Sequence, residues 1–363
     1  GHPGNSGNPV ERVVVESYPN DKITWEIAEQ VNLGIEAKFF NGIVEINADI
    51  YQEIRHNIID YRYTMPETTG LEYLQIGNVG KTRSRGIDLA GKIQHAFSPD
   101  FWMILNGTFT YNKATYLEIE QATNTPEWQR KKGKEISQRI GYIAEGLFRG
   151  QAEIDNSPNQ GGTGMMMPGD IRYRDINGDG TIDVNDATYI GFPTTPRVIY
   201  GFSGTFQYKN VEFNFSFQGS GKRAFFMDPM KIGPFVNDRA MLKAIYDDHW
   251  SADNMKERPF WPRLSTQSIE VHNPQEAWGG SEQRRSTYFM RECSFLRCTS
   301  IELAYNLPQE FLQRLRMQTV KFYARVNNPF LITNFKVWDV ELGDNGFNYP
   351  IQRTWSVGLN LSF

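Results

Sequence analysis

Residues 175–186 are the part of this sequence whose residue types and spacing could do chemistry. Oxygen-bearing side chains occupy positions 1, 3, 5, 9 and 12 of the stretch, and Gly180 occupies position 6, where an ion-binding loop turns sharply. Oxygen ligands favour Ca²⁺ over zinc or copper. The sequence therefore predicts an EF-hand-like calcium loop with Ca²⁺ as its cofactor, held by the side chains of Asp175, Asn177, Asp179, Asp183 and Asp186 and by the backbone carbonyl of Thr181.

Two features of this loop leave alternatives open. Position 12 is Asp186, where an EF-hand usually carries a longer glutamate, so calcium affinity and discrimination against Mg²⁺ stay open. Asn-Gly and Asp-Gly pairs are also typical of hairpin turns. A turn needs only one such pair, however, and has no use for carboxylates at the other positions, which favours calcium.

The flanking residues indicate what the loop is for. Pro168-Gly169 precedes it and Gly191-Phe192-Pro193 follows it, so no long helix fits on either side. The sequence therefore favours a fixed clamp within a β-protein over a helix-loop-helix sensor.

Composition excludes several classes of protein. The 363 residues carry a net charge of -4, which gives no basic surface for nucleic acid. No run of about 18 apolar residues predicts a transmembrane helix, although a transmembrane β-barrel averages out to the same modest hydrophobicity. The five histidines have no metal-ligand spacing and no nucleophile motif is present, so we expect no enzyme. Cys293 and Cys298 are expected to be ordinary buried or lipid-facing thiols.

Long alternating strands must position the loop. Residues 24–38 and 43–59 alternate apolar and polar side chains on either side of an Asn-Gly turn, and the pattern recurs to give about ten strands. Short turns alternate with long polar regions at 117–196, which contains the calcium loop, and at 221–285. This asymmetry favours an antiparallel transmembrane β-barrel portion with long extracellular loops over a soluble β-sandwich. The last strand, 355–363, alternates throughout and ends on Phe363, as a closing barrel strand does.

Several stretches resemble one family. The chain is similar to the C-terminal portion of SusC/RagA-type TonB-dependent outer-membrane transporters of the Bacteroidota. The stretch 168–180, PGDIRYRDINGDG, is the most specific match. The other matching stretches are Ile23-Thr24-Trp25-Glu26, Asn78-Val79-Gly80, Arg85-Gly86-Ile87-Asp88-Leu89, Phe295-Leu296-Arg297, Ile301 to Pro308, Asn327-Asn328-Pro329-Phe330 and Tyr349-Pro350. The segment 335–341 departs from the family by carrying Val337 and Val340 where glycine and proline are usual.

The resemblance implies a place in the cell, a function and partners. It implies an outer-membrane protein in which residues 1–363 form about half of a barrel of about 22 strands. The implied function is import of oligosaccharides or peptides, energised by TonB, under a SusD-like surface lipoprotein lid. Nothing in residues 1–363 resembles the family's plug domain or TonB-contacting box, so we expect the chain to be a piece of a longer protein.

Other functions and individual side chains were weighed beside this one. A SusC-like subunit of another outer-membrane machine, for barrel assembly or secretion, and a secreted calcium-dependent glycan-binding β-domain are the alternatives. Trp250, Trp261 and Trp278 have the chemistry to stack on sugars, but packing within their own loops is the favoured interpretation. Glu212 and Asn214 are expected to face the lumen, as general wet lining or as binding groups. The sequence assigns no substrate-binding residue.

Overall fold

The structure is a computed structural model that describes residues 18–65, 68, 73–160, 166–235, 240–265, 285–344 and 346–363. In chain order its strands are Ile27–Phe39 (β1), Val44–Tyr61 (β2), Ile76–Ser98 (β3), Phe101–Glu118 (β4), Arg139–Gly141 (β5), Ala144–Leu147 (β6), Ile171–Tyr173 (β7), Thr188–Ile190 (β8), Val198–Tyr208 (β9), Val211–Gly221 (β10), Ala224–Phe226 (β11), Met290–Glu292 (β12), Phe295–Asn306 (β13), Thr319–Thr333 (β14) and Thr354–Ser362 (β15). The helices are short: Gln151–Asp155 (α1), Pro229–Ile232 (α2), Lys243–Asp247 (α3) and Gln309–Leu315 (α4).

Nine long strands form one antiparallel sheet in the order β1-β2-β3-β4-β9-β10-β13-β14-β15. The predicted all-β, antiparallel fold is confirmed. Each strand pairs with the next long strand along the chain, as the alternating pattern predicts for a meander. The helix expected over 237–250 is shorter than predicted, since only α3 forms in its described part.

The connections differ at the two ends of the sheet. At one end, which we call the turn end, β1 joins β2, β3 joins β4 and β9 joins β10 through tight turns. The first of these turns is wider than the two-residue Asn-Gly turn that the sequence predicts. Phe40, Asn41 and Gly42 all have positive φ, so three residues curl before Val44 begins β2. At the other end, which we call the loop end, long segments follow β4 and β10.

The buried core lies in the loops rather than in the sheet. Its side chains come from segments that follow β4, β10 and β14, and we call them the loop cluster; they include Tyr142, Ile171, Tyr173, Ile182, Phe225, Met227, Ile245, Trp261, Phe289, Cys293, Phe335 and Val340. Short strand pairs, β5 with β8, β6 with β7 and β11 with β12, hold these segments together. The loop end is therefore a packed structure. None of the helices in the described ranges has both the length and the apolar character to span a bilayer.

Candidate functional site

One face of the nine-stranded sheet is apolar across its width. Along one row, the strand register places Leu33 beside Ile50, Ile50 beside Ile87, Ile87 beside Tyr111 and Tyr111 beside Val198. Leu33 is 68% exposed and Ile50 is 58% exposed, so these side chains have no protein cover. An uncovered apolar surface of this extent is incompatible with water. It has the character of a barrel surface that faces lipid.

Aromatic side chains gather at the turn end. Phe97 stacks on Phe101 with ring centroids 4.9 Å apart, and Phe101 meets Tyr208 edge-on at 6.4 Å. The ammonium group of Lys209 lies 5.6 Å from the centre of the Tyr208 ring. Rings with polar tips and nearby cations suit the boundary between lipid and water, where outer-membrane barrels carry aromatic girdles.

The opposite face of the sheet is polar. The Nζ atom of Lys321 on β14 lies 3.0 Å from a Glu212 carboxylate oxygen on β10 and 3.7 Å from Glu302 on β13. The Nε of Arg325 donates to Glu302 at 2.7 Å, and the Asn214 amide donates to Glu212 at 2.7 Å. Glu212 and Asn214 thus belong to a cross-strand network, which favours their interpretation as wall lining.

A second polar group lies on the same face, farther along the sheet. The amide of Asn112 donates to the Tyr51 hydroxyl and to the Ser84 hydroxyl, each at 2.8 Å. The Tyr51 ring crosses over Gly86, where an added Cβ would lie 2.2 Å from the Tyr51 oxygen. Only glycine therefore allows this packing. Hydrogen bonds between neighbouring strands make this face wettable without leaving polar groups unpaired.

The structure brings the predicted calcium loop into one curl. Both carboxylate oxygens of Asp175 accept backbone hydrogen bonds, from Gly178 at 2.6 Å and from Gly180 at 2.8 Å. Asp179 accepts from the Thr181 amide at 2.8 Å, and the Asn177 oxygen accepts from the Asp179 amide at 3.0 Å. These bonds stabilise the turn. Each carboxylate still has lone pairs for an ion, because a carboxylate offers about four acceptor sites.

Asp183 and Asp186 lie at the end of the curl, around a 3-10 helix at Val184–Asp186. Asp183 caps this helix by accepting from the Asn185 amide at 2.7 Å. Asp186 is fully buried and accepts from the amides of Ile176 at 2.7 Å and Asp183 at 2.8 Å. Burial raises the pKa of Asp186 despite these hydrogen bonds.

Calcium binding by the loop stays a prediction. Within the ranges that the structure describes, no group of three or more His, Cys, Asp or Glu side chains is arranged to hold a metal ion. The donor chemistry of the loop fits Ca²⁺, since all of its polar side chains present oxygen atoms. Binding would require Asp175, Asp179 and Asp183 to turn their remaining lone pairs toward one point.

Contacts from outside the loop hold it in place, and sequence reasoning missed them. The indole nitrogen of Trp128 donates to the Asn185 carbonyl at 2.7 Å, and the Gln129 amide donates to the Val184 carbonyl at 2.6 Å. The Ile182 amide donates to Asn159 at 2.8 Å. No spacing in the sequence signals these pairs.

The loop tryptophans pack within the loop cluster. Trp261 is 1% exposed and its ring lies 5.4 Å from that of Phe289. The Trp250 amide donates to the Trp261 carbonyl at 3.0 Å, and Trp250 packs against the cluster. The predicted packing role is confirmed for these two residues, while Trp278 lies outside the described residues.

The segment 335–341, where the sequence departs from the family pattern, is tied to the wall. Phe335 and Val340 are buried in the loop cluster, and Arg297 on β13 pairs with Asp339 and Glu341. Arg297 belongs to one of the family-like stretches, but sequence reasoning gave it no role. A charged residue on a strand that is otherwise well buried near its start was the available signal.

Comparison with known proteins agrees with this two-faced wall. The family model "TonB dependent receptor-like, beta-barrel" matches residues 4–238. The chain is 26% identical to TonB-dependent receptor P3 of Formosa agariphila, covering 98% of this chain and 36% of that protein. It is 25% identical to the TonB-dependent receptor SusC of Bacteroides thetaiotaomicron, covering 95% of this chain and 32% of that protein. The chain thus spans about a third of these relatives.

Solved structures show the same fold. The chain superposes on the RagAB peptide transporter with a TM-score of 0.70 at 20% identity, covering 98% of this chain and 38% of that one. The RagAB peptide importer in its closed-closed state gives a TM-score of 0.68 at 21% identity. Such low identity establishes the fold and nothing finer. By its sequence match and its architecture, the chain belongs to the TonB-dependent receptor β-barrel family of the outer membrane.

Proposed function

We propose that this chain supplies wall and outer loops to a TonB-dependent importer of oligosaccharides or peptides. The observation that carries the proposal is the two-sidedness of the sheet: an exposed apolar face on one side and a hydrogen-bonded polar face on the other. Such a wall separates lipid from an aqueous passage. A soluble glycan-binding domain has no use for the apolar face.

The loop end suits a lid partner. The loop cluster is packed as densely as a small domain core, with Tyr142, Ile171 and Ile182 fully buried. A preformed surface loses little conformational entropy when it binds a partner. A SusD-like surface lipoprotein that closes over the loop end is therefore the partner we propose, and TonB is the proposed source of energy.

Uptake measurements test the import proposal. In the native host, we expect deletion of the receptor gene to abolish uptake of one class of labelled oligomer, either oligosaccharides or peptides. Inactivation of TonB should abolish the same uptake. Uptake that persists without TonB would contradict energised import.

Purification from native outer membranes tests the partner. We expect a surface lipoprotein to accompany the receptor in detergent, at equal stoichiometry by intact mass. Stable association with barrel-assembly or secretion proteins instead would favour a SusC-like structural subunit of another machine.

We also propose that Ca²⁺ binds residues 175–186 and stiffens this loop. The alternating oxygen side chains support the proposal, because a cation would relieve the repulsion among Asp175, Asp179 and Asp183. A stiffer loop would keep the loop end in the form that a lid recognises.

A further inference from the structure

A cavity of about 440 Å³ lies beyond the loop ends of β9 and β10. Its lining brings together Arg139, Arg223 and Arg285, which come from three segments that are far apart in the sequence. Guanidinium groups repel one another, so three of them around one cavity favour an anion between them.

The rest of the lining leaves this positive charge uncompensated. Lys231 and the carboxylates of Asp228 and Asp344 also line the cavity. The Nζ atom of Lys231 lies 3.0 Å from Asp344 and 3.7 Å from Asp228, so the lysine and the two acids form a group of their own. Four cationic and two anionic side chains give the lining a net charge of +2.

The backbone fixes two of the arginines. Arg139 is part of β5, opposite Ile190, and the Arg285 carbonyl accepts the Tyr142 amide at 2.8 Å. The chain at Arg285 runs so close to β5 that a Cβ on Gly141 would lie 2.3 Å from the Arg285 carbonyl oxygen. Glycine at 141 therefore allows the two arginine segments to lie side by side.

Arg223 carries the observation that points to a ligand. Its carbonyl accepts the Cys293 amide at 3.0 Å, which fixes its backbone. Its Nε is buried and has no hydrogen-bond partner in the described part of the chain. The nearby Cys293 thiol supplies no negative charge, because burial raises its pKa to about 11. A buried charged donor without an acceptor is unfavourable, and a ligand oxygen would satisfy it.

Apolar side chains form the other part of the lining. Phe225, Phe226 and Phe289 line the cavity, and the Arg285 guanidinium lies 6.0 Å from the centre of the Phe226 ring. A ligand that fits this lining has an anionic group beside a less polar body. Free inorganic ions have no such body.

We propose that this cavity binds a carboxylate of the imported substrate, with Arg223 donating directly to it and with Arg139 and Arg285 supplying further positive charge. Calling the ligand a substrate rests on the proposed import function, whereas carboxylate binding does not. The carboxylate belongs either to an acidic peptide or to a uronic-acid sugar, and the two share the same recognition chemistry.

Binding of matched probes to the native receptor, purified in detergent at low salt, tests the proposal. One probe pair is pentaglutamate and pentaglutamine, and the other is trigalacturonate and the neutral galactose trimer. Affinities are measured by calorimetry for the wild type and for Arg223→Gln and Arg285→Gln. Arg130→Gln is the matched control, since Arg130 is exposed and is not part of the cavity lining.

We expect one acidic probe to bind more tightly than its neutral counterpart, and the preferred pair identifies the source of the carboxylate. Arg223→Gln and Arg285→Gln should each weaken binding of the acidic probe by about tenfold or more, as loss of a charge-assisted hydrogen bond does. The neutral probes and the Arg130→Gln receptor should show no change.

Two results would overturn the proposal: equal binding of acidic and neutral probes in both pairs, or unchanged acidic binding in both cavity variants. Resistance of the folded barrel to unfolding in detergent checks that the variants fold. Arg223→Gln should leave this resistance unchanged, because the Arg223 Nε makes no hydrogen bond that the variant could lose. Loss of TonB dependence with intact carboxylate selectivity would contradict the import function alone.

Discussion

The Nη2 of Arg297 lies 2.7 Å from each carboxylate oxygen of Asp339, and this pair joins β13 to the segment that follows β14. The Arg297 side chain is 5% exposed and that of Asp339 is 14% exposed. Water therefore screens the pair little. The connection holds the last long loop against the wall.

We expect Arg297→Gln to destabilise this part of the receptor by about 3 kcal/mol, because removal of one partner leaves a buried charge uncompensated. Hydrogen exchange over residues 335–341 measures the effect as faster exchange. The exposed pair of Lys38 and Glu45 is the control, since Lys38→Gln should change stability by less than about 1 kcal/mol. Equal effects of the two variants would contradict the structural role of Arg297.

Two glycines on neighbouring strands make a matched comparison. At Gly86 an added Cβ would lie 2.7 Å from the backbone oxygen of Tyr111, which has no room to move, besides meeting Tyr51. Gly86→Ala should therefore destabilise the barrel by about 1–3 kcal/mol. At Gly107 a Cβ would meet nothing within 4 Å, so Gly107→Ala should be neutral or slightly stabilising. The temperature at which the purified barrel loses its compact mobility in detergent gels measures both effects.

Cys293 should resist alkylation in the native receptor. Burial raises the pKa of its thiol to about 11, so at pH 8 almost no thiolate is present. Because the unfolded thiol ionises near its ordinary pKa of about 8.5, this group stabilises the fold fully below that pH. Its contribution then falls as pH rises toward 11. Mass spectrometry after maleimide treatment at pH 8 should find Cys293 unmodified until denaturant is added, and rapid native labelling would contradict this.

Calcium removal should loosen residues 175–186. If Ca²⁺ binds there, chelation should speed hydrogen exchange in this loop and leave β10 unchanged. Asp175→Asn should mimic chelation, because it weakens the first ligand while keeping its size. Exchange that is the same with and without chelator would remove calcium from the account.

The wall could be predicted from sequence because its contacts are local in pattern. Alternation in 211–217 assigns each side chain to one of two faces, and pairing with the next strand then follows from the turn. In β15, Val357 is 88% exposed and Trp355 is 74% exposed, as an apolar outer face predicts.

The loop end could not be predicted in the same way. Arg139, Arg223 and Arg285 meet because Tyr142 pairs with the chain at Arg285 and Cys293 pairs with Arg223. These contacts join residues that are far apart in sequence, and no periodic pattern encodes them. The regions 117–196 and 221–285 therefore read as irregular in the sequence, although their described parts pack into a core.

Spin labels placed singly at each position from Val211 to Phe217 test the central claim most directly. Oxygen concentrates in the hydrocarbon of a bilayer, whereas a water-soluble nickel chelate does not enter it. In the native receptor reconstituted in lipid, we predict that collision rates with oxygen alternate with a period of two. The maxima should fall at 211, 213, 215 and 217. Rates without alternation, or maxima at 212, 214 and 216, would contradict a wall with one face in lipid and the other lining an aqueous passage.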